Sequence, residues 1–172
     1  MDTAFEPSDV RDVQLTHLMD TYGSRIVKVC YTYLKDVALA EDAAQDTFVK
    51  AYGQLGQAWA MAHEKAWLMQ IAVNTCKDYL RTSWFRKVDR SITPEDLADQ
   101  TAQDVSEGRI LLDDVLELPL KYREIIILNY YQNLRVGDIE QILGIARSTI
   151  HARLDKARQK LRITLEGGYD DE

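Results

Sequence analysis

The sequence predicts an all-α protein built as two helical domains joined by a flexible acidic linker. Apolar residues recur at three- and four-residue steps through both halves, the spacing of amphipathic helices. Only three prolines interrupt 172 residues, 46% of them hydrophobic. The charge is also unevenly placed. Residues 1–90 carry 11 bases and 12 acids, residues 91–114 one base and seven acids, and residues 115–172 nine of each. Nearly all of the net charge of −7 therefore lies in the middle. The stretch from Ser91 to Gly108 is also poor in apolar residues and lacks periodicity, which marks a solvated spacer. The expected domains are residues 10–90 and 109–165, with 91–108 between them.

In the first domain, Leu15, Leu18, Met19, Tyr22, Ile26, Val29, Cys30, Tyr33 and Leu34 form one core-facing stripe. A second helix is expected from about Ala40 to Tyr52. Its inner row is Ala40, Ala43, Ala44, Thr47, Phe48 and Ala51, and its outer face carries Asp42, Gln45, Asp46 and Lys50. Small inner residues allow close packing on a neighbour. The acidic outer face taken alone is compatible with plain solvation. A third helix is expected over Glu64 to Arg86, with Trp67, Ile71, Asn74, Asp78 and Arg81 along one face and Leu68, Ala72, Cys76 and Tyr79 as the adjacent apolar stripe. The segment ends in Arg81, Trp84, Phe85, Arg86, Lys87 and Arg90. Bases interleaved with aromatics suit single-stranded nucleic acid, where cations meet phosphates and rings stack on bases. Aromatics at a helix end also serve as core or cap.

The second domain holds two helical patterns joined by a tight turn: Val136 to Leu143, then Gly144-Ile145-Ala146, then Arg147 to Arg162. From Arg147 to Arg162 six bases stand against one acid, Asp155. A basic helix on an acidic chain points to a polyanion at that spot. With a turn and a short helix before it, the polyanion is duplex DNA.

Other classes are disfavoured. No run approaches the roughly 18–20 apolar residues of a membrane span, and the first residues lack the basic flank and apolar stretch of a signal peptide. A cytoplasmic protein is expected. Cys30 and Cys76 lie in apolar helical patterns without CxxC spacing, which reads as two buried free thiols. No nucleophile–base pair, phosphate-binding loop or metal-ligand cluster is evident, and His17, His63 and His151 are scattered. No enzyme activity, cofactor, metal or small-molecule substrate is expected.

Two ordered sets of residues resemble a known family. Ala40-Glu-Asp-Ala-Ala-Gln-Asp-Thr-Phe48, Trp67-Leu-Met-Gln-Ile-Ala-Val-Asn-Thr75 and Asp78-Tyr-Leu-Arg81 resemble region 2 of the extracytoplasmic-function (group 4) RNA polymerase sigma factors. Leu118-Pro119-Leu-Lys-Tyr-Arg123 and the helix-turn-helix, with Thr149-Ile150, Arg153-Leu154, Lys156-Ala157-Arg158 and Leu161, resemble region 4 of the same family. The resemblance implies a transcription initiation factor that gives core polymerase its promoter choice. It places Asp42, Gln45, Asp46 and Phe48 against the β′ clamp helices, where carboxylates would meet a basic coiled coil. It assigns −10 contact and melting to Trp59, His63, Asn74, Lys77, Asp78, Arg81 and Arg86, with Asn74 offering donor and acceptor to a flipped base. Asn74 and Asp78 have a second reading, as polar partners of Arg81 within the helix. The −35 contacts fall to Arg147, Ser148, Thr149, His151, Ala152, Arg153 and Lys156. Of these, Arg147, Ser148, His151 and Ala152 would face the major groove, while Arg153 and Lys156, with Arg158, would lie nearer phosphates. The implied partners are core polymerase (β′ clamp helices and β flap), promoter DNA at −35 and −10, and an anti-sigma factor of a kind often membrane-anchored. The acidic linker would run toward the RNA exit path.

Several positions depart from the family pattern. Arg135 and Ala146 stand where Ser or Thr caps the two motif helices, and Glu140 stands where Ala is usual. A lost cap costs about 1 kcal/mol. Either the motif is marginally stable, or Asp138 and Ser148 cap instead and Glu140 reaches solvent or a basic partner. Glu64 replaces an aromatic before Trp67. The rival readings are a dimeric two-domain helix-turn-helix regulator and a helical scaffold without a DNA role. The Asp42–Gln45–Asp46 face argues against the regulator, and the basic helix against the scaffold.

Overall fold

A computed structural model describes residues 7–55, 63–82 and 106–167, with side chains over 10–55, 63–82 and 112–162. The chain falls into two compact units. The first contains α1 (Pro7–Leu34), α2 (Val37–Gln54) and α3 (Glu64–Arg81); the second contains α4 (Ser106–Glu117), α5 (Leu120–Ile126), a π-helical turn (Ile127–Tyr131), α6 (Val136–Leu143) and α7 (Arg147–Gly167). All regular structure among the described residues is helical.

In the first unit α1 packs most extensively on α3. Ile26, Val29 and Cys30 of α1 meet a core completed by Leu68, Ala72, Val73 and Cys76 of α3, all essentially without exposure. Every residue of the predicted inner row of α2 is buried. The stripe on α1 holds except at Met19, which is half exposed. Cys30 and Cys76 are free, buried thiols. The Cys76 thiol is pushed far above its usual range, first by its hydrogen bond to Cys30 and then by burial.

Polar contacts tie the helix ends. At the start of α3, Glu64 accepts a hydrogen bond from Tyr22 (3.0 Å) and lies 3.2 Å from His17 Nε2. An acid in the first helical turn is also favoured by the helix dipole. The residue that departs from the family's aromatic thus links α3 to α1 through a polar contact. Nearer the start of α1, Arg11 donates to the Tyr52 carbonyl of α2 (3.0 Å) while Tyr52 donates to Asp12 (2.9 Å).

The third helix was expected to reach Arg86. It ends at Arg81, with Thr82 extended as its C-cap, and residues 83–105 lie outside those described. The expected spacer overran by three residues, because Ser106–Gly108 already belong to α4.

The second unit is built on α5 and the π-helical turn, whose Ile125, Ile126, Ile127 and Leu128 are all buried. A run of four buried residues leaves no polar face, as expected of a helix enclosed by others. α5 packs most extensively on α7. Arg123 is buried beside α4, donating to the carbonyls of Leu116 (3.1 Å) and Leu118 (3.2 Å). A guanidinium there satisfies carbonyls that the end of α4 leaves orphaned and complements its dipole. After the π-helical turn, Asn133 takes a left-handed conformation (φ 53), and Asn129 donates to the Leu134 carbonyl (3.1 Å), closing the loop into α6.

Replacing Arg123 with Ala should strand those two carbonyls and destabilise the second unit by about 2–3 kcal/mol. Hydrogen exchange should show faster exchange of α4 and α5 amides with α1–α3 protection unchanged.

Candidate polymerase-docking and nucleic-acid faces

On α2 the burial pattern separates the two faces fully. Asp42, Gln45, Asp46, Val49 and Lys50 are exposed, and Ala43, Ala44, Thr47, Phe48 and Ala51 are not. Asp42, Gln45, Asp46 and Val49 step by three, one and three, so they stand on one side of the helix. Phe48, expected among the docking residues, is only 7% exposed. It belongs to the core and supports the face from beneath. Val49, which the sequence reading passed over, is 72% exposed.

Asp46 is not a free carboxylate. Tyr79 of α3 donates a 2.5 Å hydrogen bond to its Oδ2. The Tyr79 phenol is held above its ordinary range by burial first, then by the bond to Asp46 and the nearby charges of Asp46 and Asp42. Tyr79 was read as part of an apolar stripe; its hydroxyl makes it a link between helices. A tyrosine at the edge of a stripe is the available signal, since its polar tip needs a partner. One turn along α2, Lys50 donates to Thr75 Oγ1 (3.2 Å) and lies 3.7 Å from Asp78 of α3.

The sequence-predicted face of α3 divides. Trp67 and Ile71 are buried, whereas Asn74, Asp78 and Arg81 are exposed. The row runs along the boundary between core and solvent and crosses it after Ile71. Asp78 sits between Lys50 and Arg81, whose Nη1 is 3.4 Å from it. The internal polar pairing therefore exists for Asp78, while Asn74 presents its amide to solvent. His63 is exposed at the N-cap position of α3, and Lys77 is half-buried. Trp59 and Arg86 lie outside the described residues.

In the second unit α6 and α7 have the predicted limits at Val136, Leu143 and Arg147. Gly144 ends α6 with φ 65, a left-handed conformation that glycine adopts without a Cβ penalty. Its N–H closes the helix on the Glu140 carbonyl (2.9 Å). Ile150, Leu154, Ala157 and Leu161 of α7 are buried, and Arg147, Ser148, His151 and Ala152 are exposed. Thr149 is half-buried beside them.

The departures in this motif are met in part. Arg135 occupies the N-cap of α6 without a side-chain bond, and its carbonyl accepts the first backbone bonds of the helix, from the N–H groups of Asp138 and Ile139 (both 3.0 Å), as any N-cap carbonyl does. Asp138 places an acid in the first turn, where the dipole favours it. Glu140 lies 3.6 Å from Arg147 Nη2, both side chains well exposed. The two helices of the motif are thus bridged by a solvated ion pair.

Two bases expected near phosphates are engaged within the protein. Arg153 Nη1 lies 3.6 Å from Glu124, a side chain only 7% exposed. The pair joins α7 to α5, so Arg153 serves that contact before any phosphate. Arg158 donates to the Tyr130 hydroxyl (2.6 Å) and to Asp155 (3.2 Å). Lys156 is exposed. Ser148, Thr149, Ala152, Arg153 and Lys156 line an open concavity of about 400 Å³ with Tyr122 of α5, a residue the sequence reading did not single out for this face.

These roles predict different phenotypes for two neighbouring bases. Arg153→Ala should lower the stability of the second unit by about 1–2 kcal/mol. Lys156→Ala should leave the thermal midpoint in place and reduce the salt slope of duplex-DNA binding by about one.

Two family models match the chain: Sigma-70 region 2 over residues 18–86, and Sigma-70 region 4 over residues 109–161. The ECF RNA polymerase sigma factor SigL of Mycobacterium tuberculosis is 30% identical over 156 residues, covering 87% of this chain and 87% of SigL. SigM of Bacillus subtilis, also an ECF RNA polymerase sigma factor, is 28% identical, covering 92% of this chain and 99% of SigM. Among solved structures, the sigma factor RpoE in complex with the anti-sigma factor NepR from Bartonella quintana has a TM-score of 0.69 at 23% identity, covering 92% of this chain and 99% of that one. CnrH in complex with the cytosolic domain of CnrY has a TM-score of 0.65 at 21% identity, covering 91% of this chain and 89% of that one. Both solved structures share the helical fold. With a region 2 unit and a region 4 unit in the family's order, the chain belongs to the ECF RNA polymerase sigma factors.

Proposed function

We propose that this sigma factor docks on the β′ clamp helices through Asp42, Gln45 and Asp46 and reads the −35 element with the N-terminal half of α7. The observation that carries the reading is the division of α7. Arg147, Ser148, His151 and Ala152 stand outward on the helix whose opposite side, from Ile150 to Leu161, is committed to the core. A helix anchored that way and preceded by α6 can enter a major groove with its first turns. Arg147 and His151 specify bases, and Lys156 meets phosphate. Arg153 acts mainly as the support for α7. The exposed end of α3, at Asn74, Asp78 and Arg81, faces the −10 strand, where an amide and a guanidinium can bond base edges. His63 and Lys77 flank that surface.

Each DNA face is small, so affinity for a promoter depends on tethering both to one polymerase. The protein is a cytoplasmic initiation factor that catalyses no reaction of its own. Control by an anti-sigma factor is supported by the two solved structures, each determined with a bound partner and one of those partners an anti-sigma factor. Among the described residues no helix is long and apolar enough to cross a membrane.

Run-off transcription with purified core enzyme on a randomised promoter pool tests the reading. The wild-type chain should give output that core enzyme alone does not. Charge reversal at Asp42 and Asp46 should abolish co-purification with core polymerase while the circular dichroism spectrum is unchanged. Replacing Arg147 and His151 with Ala should spare core binding and erase base preference at −35. Unchanged core binding in the first variant removes the docking assignment, and an unchanged −35 profile in the second removes the recognition assignment.

A further inference from the structure

We propose that Tyr79 is a positioning residue for polymerase docking: its hydroxyl, reaching from α3, holds the Asp46 carboxylate in the pose that the α2 face presents. The inference rests on the reading of that face as the docking surface.

The geometry is specific. Tyr79 donates to Oδ2 of Asp46 at 2.5 Å, in the short range of hydrogen bonds made to an ionised acceptor. A carboxylate has lone pairs to spare, so the bond leaves Oδ1 and the outer side of Oδ2 for a cation or amide of the partner. Asp46 is exposed, and without the tether its side chain would sample several rotamers and lose that freedom only on binding. Fixing it beforehand moves the ordering cost from association into folding. The phenol is also a dependable donor, because burial and the neighbouring carboxylates hold its proton well past the ordinary tyrosine range.

The tether is separable from the fold. The same α2–α3 seam is crossed independently where Lys50 meets Thr75 and Asp78. Beneath it lie the buried inner row of α2 and the core of α3. Removing one hydroxyl from a partly exposed ring leaves the packing of both helices in place. An Asp46 without Tyr79 is simply solvated, so the loss is felt when a partner must engage it.

A double-mutant cycle decides the matter, with the full chain titrated against core polymerase at fixed salt. Tyr79→Phe should weaken binding about 3- to 10-fold, a coupling of the size found between contacting residues. Asp46→Ala, which removes the acceptor, should weaken it at least as much, and Tyr79→Phe should add nothing in the Asp46→Ala background. If Asp46→Ala weakens binding and Tyr79→Phe does not, the positioning role is overturned and the docking face stands. Equal losses from Tyr79→Phe in both backgrounds would show that it acts through the fold, which also overturns the proposal. If Asp46→Ala has no effect, the docking reading falls and the proposal falls with it.

Discussion

The outward face of α2 exists because its inward face is made mostly of alanine. Ala40, Ala43, Ala44 and Ala51, with Thr47, are buried. The buried side also holds Leu39, Phe48 and the Thr47 hydroxyl, which donates to the Ala43 carbonyl of its own helix (2.7 Å). With the inner side apolar or satisfied within the helix, the polar groups of α2 stand on the outer side, where Asp46 accepts from Tyr79 and Lys50 reaches Thr75 and Asp78 of α3.

The second unit solves a related problem differently. α7 must be held firmly on one side while its first turns stay available on the other. Apolar packing through Ile150, Leu154, Ala157 and Leu161 supplies most of the hold, and the Arg153–Glu124 pair adds a polar connection between α7 and α5. One consequence is a division of labour among the bases of α7. Charge density on this helix counts six bases from Arg147 to Arg162. Of these, Arg147, Arg153 and Arg158 have ionic or hydrogen-bonded partners inside the unit and Lys160 lies over the Tyr122 ring. In the proposed complex, salt-dependent attraction to DNA would fall more on exposed groups such as Lys156 than the raw count implies.

Both units place the side chains proposed for partner contact at the border between packed and solvated surface. On α3 the row beginning at Trp67 dives into the core and surfaces at Asn74. A residue at such a border is held by its packed neighbours yet can touch a partner, the condition for precise recognition at modest entropic cost. Of the departures from the family pattern, Arg135 is offset by the first-turn acid Asp138, and Glu140 by its pair with Arg147.

Periodicity and composition were enough to identify α1, α2, α6 and the start of α3 and α7, the two-unit order and the inner row of α2, while α4, α5 and the π-helical turn were not read as elements. These are properties of each segment's own pattern: a 3.6-residue repeat of apolar groups declares its buried face wherever the partner lies. What a side chain does at the edge of that face depends on residues distant in sequence. Tyr79 looked like stripe and is a donor to Asp46, 33 positions away; Arg153 looked like a phosphate contact and pairs with Glu124; Phe48 shared a motif with the docking residues and lies beneath them. Hydrogen bonds and ion pairs act over a few ångströms, and only the packing of helices decides which groups come that close.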